Sequence, residues 1–357
     1  MRIVQIIDSL ETGGAERMAV NYANALVKRA SFSGLVATRA EGKLKSQINA
    51  EVYYAFLGKR YALDPRAVVR LYSYCKKHRV EYLHAHSTSY FLAILIKILM
   101  PKLQIIWHDH NGNSEFLEVR EAVPLNMCSF FFKGIIVVNH QLKQWALREL
   151  HCPKVFYIPN FTTLPEHEEQ VTLLKGTTGK QILHLANLRE QKNHDFTLAV
   201  AEIIRKSHPG WTFHLVGKDF EDEYSRDIRH KINTLNLQDV VYVYGSRTDT
   251  SAIIRQAAVA ILTSKSEGLP VALLEYGLQA KPVVMTQVGE IPVIVKDGSN
   301  GYLAEKTDVN EFAEKLQRLL DNPDLRNIFG IELAKTIRDH HSEEAAITSY
   351  LKWIKSL

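Results

Sequence analysis

Apolar, β-branched runs recur along this chain from end to end, and that recurrence limits its fold more than any other feature. In the first half RIVQII, FSGLVATR, VYYAFL, VEYLHAH, QIIWHDH, GIIVVN and KVFYIP read as strands. Runs of this length with little polar alternation suit strands covered on both faces, as in a parallel sheet. Helical periods lie between several of them; the clearest sets Ala15, Met18, Ala19, Tyr22 and Leu26 on one face. A second series begins near Gln181 with QILHLANL, WTFHLVG, VVYVYG, VAILTS, KPVVMT and GYLAE, with amphipathic segments such as FTLAVAEIIRKS between most of them. Two successive series of this kind predict two doubly wound α/β domains, each built on a parallel sheet. At 357 residues the chain is also long for a single core. The predicted division is 1–163, a turn-rich linker over 164–180, and 181–340. SEEAAITSYLKWIKSL then forms a terminal helix within 341–357, with Ala346, Tyr350 and Trp353 on its apolar face.

Composition removes several classes of function. Hydrophobic residues make up 46% and charged residues 23%, so the chain is globular and not disordered. Its start, MRIVQIIDSL, reads as a strand entering a loop and not as a secretory leader. The most apolar helical stretch, YFLAILIKILMP, is interrupted by Lys97 and falls short of the roughly 20 residues a bilayer requires. Cys75, Cys128 and Cys152 are too scattered for a disulfide framework or a zinc site and fit a reducing cytoplasm. The net charge of +5 is uneven: residues 1–163 hold 21 Lys and Arg against 12 Asp and Glu, and the remainder holds 23 against 27. A basic surface attracts phosphates, anionic lipids or nucleic acid. No aromatic RNA-binding motif or helix–turn–helix accompanies the charge, so nucleic acid is not an expected partner. Arg66, Arg70 and Lys77 fall near one face of a helix predicted from Pro65 to Arg79, the kind of stripe that lies on an anionic membrane.

Open α/β sheets bind ligands beyond the carboxyl ends of their strands, so residues just after strands are the candidates for chemistry. In DSLETGGAE, Gly13 and Gly14 allow a tight turn into the first helix, whose N-terminal amides favour an anion; a plain glycine turn would use the same residues. Two His-x-His pairs follow later strands, His84/His86 and His108/His110. They lack a carboxylate or cysteine complement, so hydrogen-bonding histidines are expected and a metal site is not. One of them, His110, is the candidate to face a ligand and bond a hydroxyl or move a proton; His84 and His86 are candidates on the acceptor side. In HLANLREQKNHDF, Arg189 and Lys192 sit between a strand and its helix, where cations suit a diphosphate, or simply a solvated loop. In SEGLPVALLEYGLQAKPVV, Pro270 is placed to open a helix, with Gly268 and Leu269 in the turn before it. Glu267 therefore lies in the loop and Glu275 inside the helix. Two carboxylates there suit the vicinal hydroxyls of a sugar; a capping or ion-pair role is the bland alternative. GTTGKQ, from Gly176, lacks the first glycine and the Ser/Thr of a P-loop, and neither a GxSxG elbow nor an Asp-x-Asp pair occurs.

The stretch SEGLPVALLEYGLQAKPVVMTQVGEIPVIVKDGSNGYL closely resembles the donor-binding signature of glycosyltransferase family 4, with its Glu-x7-Glu element. GGAE, VEYLHAHS, IPN and LANLREQKNH fall in the order that family shows, so the resemblance covers essentially the whole chain. It implies a GT-B fold, two Rossmann-like domains facing across a cleft, with the C-terminal helix 341–357 crossing back to the first. Residues 1–163 would bind the acceptor and 181–340 a nucleotide-diphosphate sugar, UDP expected over GDP. Glu275 would bond the nucleotide ribose. Glu267, with the backbone of Gly268, Leu269, Pro270 and Val271, would hold the donor sugar and phosphate. Lys192 would stabilise the departing diphosphate, Gly13 and Gly14 would approach the phosphate and acceptor, and His110 would face the sugar. Asn187 stands where the family usually has an arginine, and Arg189 is the candidate to supply that charge. The resemblance implies a retaining, metal-independent glycosyltransferase with no cofactor beyond its co-substrate. A lipid-linked or surface-polysaccharide acceptor is expected, with peripheral attachment at the inner face of the cell membrane. The alternatives are a GT-B-type sugar-nucleotide epimerase or glycan phosphorylase, or a catalytically silent nucleotide-sugar-binding protein.

Overall fold

A computed structural model of the chain describes residues 1–112, 114–163 and 170–357. They form two units, Met1–Phe161 with Glu343–Leu357, and Thr162–Ser342. Every run read as a strand is one. The first unit carries β1 (Arg2–Ser9), β2 (Phe32–Ala40), β3 (Tyr53–Phe56), β4 (Tyr82–His86), β5 (Gln104–Asp109), β6 (Phe132–Val137) and β7 (Val155–Tyr157). They pair parallel in the order β3-β2-β1-β4-β5-β6-β7. The second carries β8 (Gln181–Leu185), β9 (Thr212–Val216), β10 (Val241–Gly245), β11 (Val259–Leu262), β12 (Val283–Thr286) and β13 (Tyr302–Ala304). These are also parallel, in the order β10-β9-β8-β11-β12-β13.

Both sheets are doubly wound, so each has a point where the strand order reverses: between β1 and β4, and between β8 and β11. Strand residues on both faces are buried, as with Ile3, Val4, Ile6 and Ile7 on β1 and Val259, Ala260, Ile261 and Leu262 on β11. That is why these runs read as nearly continuous apolar sequence. The helix Pro65–Lys77 starts where Asp64 accepts hydrogen bonds from the N–H groups of Arg66 and Ala67. It buries Ala67, Leu71 and Cys75 and leaves Arg66, Arg70 and Lys77 exposed, although Arg70 donates to the carbonyl of Leu57. Among the described residues no helix is long and apolar enough to cross a membrane.

The terminal helix, Glu343–Lys355, belongs to the first unit. It buries Ala346, Ile347, Tyr350 and Ile354, and the Tyr350 hydroxyl meets His84 Nδ1 at 3.0 Å. Residues 164–169 of the expected linker lie outside the described residues. The part that follows is docked on the second unit. Asp249 accepts from the N–H groups of Val171 and Thr172 at 2.9 and 2.6 Å, and Leu174 is buried. A segment held by backbone hydrogen bonds to a neighbouring loop needs no periodicity of its own, which is why it reads as irregular sequence.

Candidate functional site

Two loops at the carboxyl ends of β8 and β11, on either side of the second sheet's reversal point, are fastened together. The first runs from Ala186 through the single helical turn Glu190–Lys192 to Asn193, which adopts a left-handed conformation (φ 55°) and caps the helix His194–Ser207. The second runs from Thr263 to Pro270. Gln191 donates to the Ser266 carbonyl at 2.8 Å, and its own carbonyl accepts from the Lys265 N–H at 2.8 Å. The Thr263 hydroxyl lies 3.1 Å from the carbonyl oxygens of both Lys192 and Asn193. Thr286 at the end of β12 donates to the Ser264 carbonyl at 2.7 Å. Beneath the loops, His184 and His194 are stacked and fully buried; burial holds His184 well below the usual imidazole range and brings His194 to about 4.

This scaffold brings Lys192 and Glu267 together. Lys192 Nζ donates to Glu267 Oε1 at 2.6 Å, and the Ser264 hydroxyl donates to the same oxygen at 2.6 Å. Glu267 is 4% exposed, whereas the Lys192 side chain keeps 22% of its surface. The second carboxylate oxygen, Oε2, makes no hydrogen bond among the described residues, and the ammonium has donors to spare. The arrangement can therefore accept from a hydroxyl at Glu267 while a cation stands beside it.

Pro270 occupies the N-cap (φ −69°, ψ 124°) and Val271 is the first helical residue, one position later than the expected start, because the extended ψ turns the chain into the helix only after the proline. Glu275 is half-buried within that helix, Val271–Leu278, beside Tyr276, whose hydroxyl accepts from the Leu185 N–H at 2.7 Å. Arg189 lies over the Phe220 ring at 4.6 Å, and Asn187 Oδ1 accepts from the Lys218 N–H at 2.7 Å. Asn187 thus joins the loops after β8 and β9, a task a longer arginine side chain would not perform in the same way.

Sequence reasoning missed Ser264 and Gly289. Gly289 has φ 55°, and a Cβ there would stand 2.0 Å from the Glu267 carbonyl oxygen. The next residue, Glu290, donates its N–H to the Gly268 carbonyl at 2.9 Å. The sequence marks only a glycine just after the strand KPVVMT; its contact with the 267–268 carbonyls is tertiary. Gly289→Ala should displace the 267–268 backbone and destabilise the second unit by about 2 kcal/mol or more, from positive-φ strain plus overpacking. A urea midpoint unchanged from the parent chain would overturn this assignment.

In the first unit, Gly13 is the N-cap of the helix Gly14–Leu26. A Cβ on Gly13 would stand 2.2 Å from Glu16 Oε2, so the bare glycine makes room for the chain's own carboxylate at the helix start. An incoming phosphate would meet that carboxylate, a competitor the sequence reading did not foresee. Gly14 is exposed.

His84, His86 and His108 are fully buried, which corrects the placing of His84 and His86 on the acceptor side: neither presents surface to an acceptor. His84 Nε2 lies 3.1 Å from His108 Nδ1, and His86 Nδ1 2.9 Å from His110 Nε2. His86 Nε2 meets Gln5 Oε1 at 2.8 Å. Because a carbonyl only accepts, His86 Nε2 carries the proton, its Nδ1 accepts from His110, and His110 is left with an acceptor nitrogen at Nδ1. Burial lowers His110 to about 3, so it is neutral near pH 7 and suited to accept a hydroxyl's hydrogen bond. Ligand atoms of His84, His86 and His108 lie within 4.8 Å of one another. Among the described residues no carboxylate stands with them to balance a buried divalent charge, and the His84–His108 pair is spaced as a hydrogen bond.

The description Glycosyl transferases group 1 matches residues 166–335, and Glycosyltransferase Family 4 matches residues 12–164. The chain is 25% identical to a poly(ribitol-phosphate) alpha-N-acetylglucosaminyltransferase of Staphylococcus aureus, over 62% of this chain but only 44% of that one. It is 24% identical to a UDP-Gal:alpha-D-GlcNAc-diphosphoundecaprenol alpha-1,3-galactosyltransferase of Escherichia coli, over 72% of this chain and 71% of that one. Its fold resembles that of Anabaena HepE, solved in complex with UDP and glucose, with a TM-score of 0.82 and 16% identity over the whole of both chains. Two parallel α/β units, loops gathered at the strand ends and two family descriptions that together span residues 12–335 lead to one assignment: the chain belongs to the group 1, family 4 glycosyltransferases and has the GT-B fold.

Proposed function

We propose that this glycosyltransferase is a retaining, metal-independent enzyme acting at the inner face of the cell membrane. Its donor is a nucleotide-diphosphate sugar, UDP rather than GDP, and its acceptor is lipid-linked or a growing surface polysaccharide. The observation that carries the reading is the Lys192–Glu267 pair, held at 2.6 Å beside the start of the helix Val271–Leu278. Glu267 Oε2 accepts from a donor-sugar hydroxyl, and the amides around Gly268, Leu269 and Val271 face the donor phosphate. When the bond from the sugar to the diphosphate breaks, the Lys192 ammonium neutralises the charge left on the phosphate oxygen, with Arg189 nearby. Glu275 bonds the ribose. On the first unit, Gly13 and Gly14 approach the acceptor and His110 accepts from a sugar hydroxyl at Nδ1. The UDP named in the E. coli relative and bound in the Anabaena structure supports the nucleotide, and the diphosphoundecaprenol named in the former supports a lipid-linked acceptor.

One observation favours a second reading, a catalytically silent nucleotide-sugar-binding protein: Asn187, in place of the family arginine, is engaged by the Lys218 N–H. A donor screen separates the two. The chain is incubated with UDP-glucose, UDP-galactose, UDP-N-acetylglucosamine and GDP-mannose, with crude membrane lipid as acceptor, and nucleotide release is followed. The expected result is acceptor-dependent UDP release, unchanged by EDTA, giving a product whose anomeric proton shows the donor's configuration. Sugar conversion without acceptor would indicate an epimerase, and binding without release the silent protein; either would overturn the proposal.

A further inference from the structure

The carboxyl ends of β2 and β3 in the first sheet hold a cation that the proposed reaction leaves unused. Lys59 follows β3, and its backbone N–H donates to the Thr38 carbonyl at 2.7 Å, which seats it beside the end of β2. It is only 7% exposed, yet its ammonium makes no ion pair or hydrogen bond among the described residues. The carboxylates near enough to act on it are Asp8 and Asp64, and both are committed elsewhere. Asp8 accepts the Thr38 hydroxyl at 2.5 Å and the Thr88 hydroxyl at 2.6 Å, with Arg39 Nε at 3.7 Å. Asp64 accepts the N–H groups of Arg60, Arg66 and Ala67.

A cation on a side chain this covered keeps only part of its hydration, and no group among the described residues replaces what is lost. Burial accordingly lowers the Lys59 pKa. Asp8 at the end of β1 and Arg39 at the end of β2 act on Lys59 electrostatically, and Thr38 of β2 accepts its N–H, so the group lies at strand ends, where an open α/β sheet receives ligands. The Arg39 side chain is 46% exposed with its Nε 3.7 Å from Asp8, so a second cation stands at this strand end. Residues 1–163 also carry the excess of basic over acidic side chains.

We propose that Lys59, assisted by Arg39, binds an oxyanion, phosphate or carboxylate, carried by the acceptor. The word acceptor rests on the proposed function; the anion site does not. Calorimetric titration of the full chain with sodium pyrophosphate, and separately with sodium glucuronate, tests it in the parent chain, K59M, K59R and K192M. At least one probe should bind, and its affinity should fall about tenfold or more in K59M while surviving in K59R; K192M reports separately any pyrophosphate held at the proposed donor site. A response to pyrophosphate assigns a phosphate-bearing acceptor, and a response to glucuronate alone a carboxylate-bearing one. K59M should melt no lower than the parent, because among the described residues it breaks no ion pair or hydrogen bond of the ammonium. No binding by either probe, equal affinity in K59M, or a K59M protein that melts well below the parent would each overturn the site. A chain that transfers no sugar yet loses the anion in K59M would remove the proposed function and leave this site standing.

Discussion

Lys192→Met is expected to lower the rate of sugar transfer by at least about a hundredfold, the usual scale for removing a charge that stabilises a leaving oxyanion. It should also cost stability. Glu267 is 4% exposed and would keep only the Ser264 hydroxyl as a close partner, so a loss of about 1–3 kcal/mol is expected, the range being moderated by the partial exposure of Lys192. Glu267→Gln should lose activity on a similar scale but less stability, because the Lys192 ammonium still reaches water. The double variant K192M/E267Q separates the two effects. Without either charge, most of the stability should return while activity stays low. Urea unfolding and acceptor-dependent nucleotide release, measured on all three variants, provide the check. A single variant with the parent's rate, or a double variant that recovers both properties, would remove these residues from the reaction.

Acid should destabilise the protein well above the pH at which its carboxylates titrate. His84, His86, His108 and His110 in the first unit, and His184, His194 and His214 in the second, are all held below the usual imidazole value of 6.5 by burial. Unfolding frees them to take up protons near 6.5. The folded state refuses those protons, so its stability is complete above that pH and is lost as pH falls from 6.5 toward the folded values, about 4 for His194 and His214 and about 3 for His110. Each withheld proton costs about 1.4 kcal/mol per pH unit in that window. Four such residues stand together in the first unit, so that unit is expected to lose stability steeply over this window. The urea midpoint should be nearly level above pH 7 and fall steeply below 6.5. Equal midpoints at pH 7 and pH 5 would show that the imidazoles are reached by solvent.

Much of the candidate site was legible because its residues occupy loops bounded by strong local signals. The strand VAILTS, the turn Ser-Glu-Gly-Leu and the proline-led helix place Glu267 at a sheet end without knowledge of any distant contact. Gly289 escaped notice because its importance lies in two carbonyl oxygens some twenty positions earlier, which no local pattern reveals. The four histidines show the same limit. Their alternation on β4 and β5 was plain, and it does set each pair on one side of its strand. Whether that side met solvent or core was settled by Tyr22 and Tyr350, from helices distant in sequence, which cover the rings. Lys59 reads as one more surface cation in LGKRYALD until its burial is known.

The amino-acid order by itself determined the two-domain α/β class, the thirteen strands of the described residues and which residues follow their carboxyl ends. Those features follow from apolar periodicity and turn chemistry, interactions that act within a few residues of one another. Only the tertiary structure decided which charges are paired, which imidazoles are sealed from water and how far Lys59 is covered. Each of those depends on desolvation and on contacts between segments far apart in the chain, and the energy of a buried polar group is set by the neighbours that remain once water has been removed.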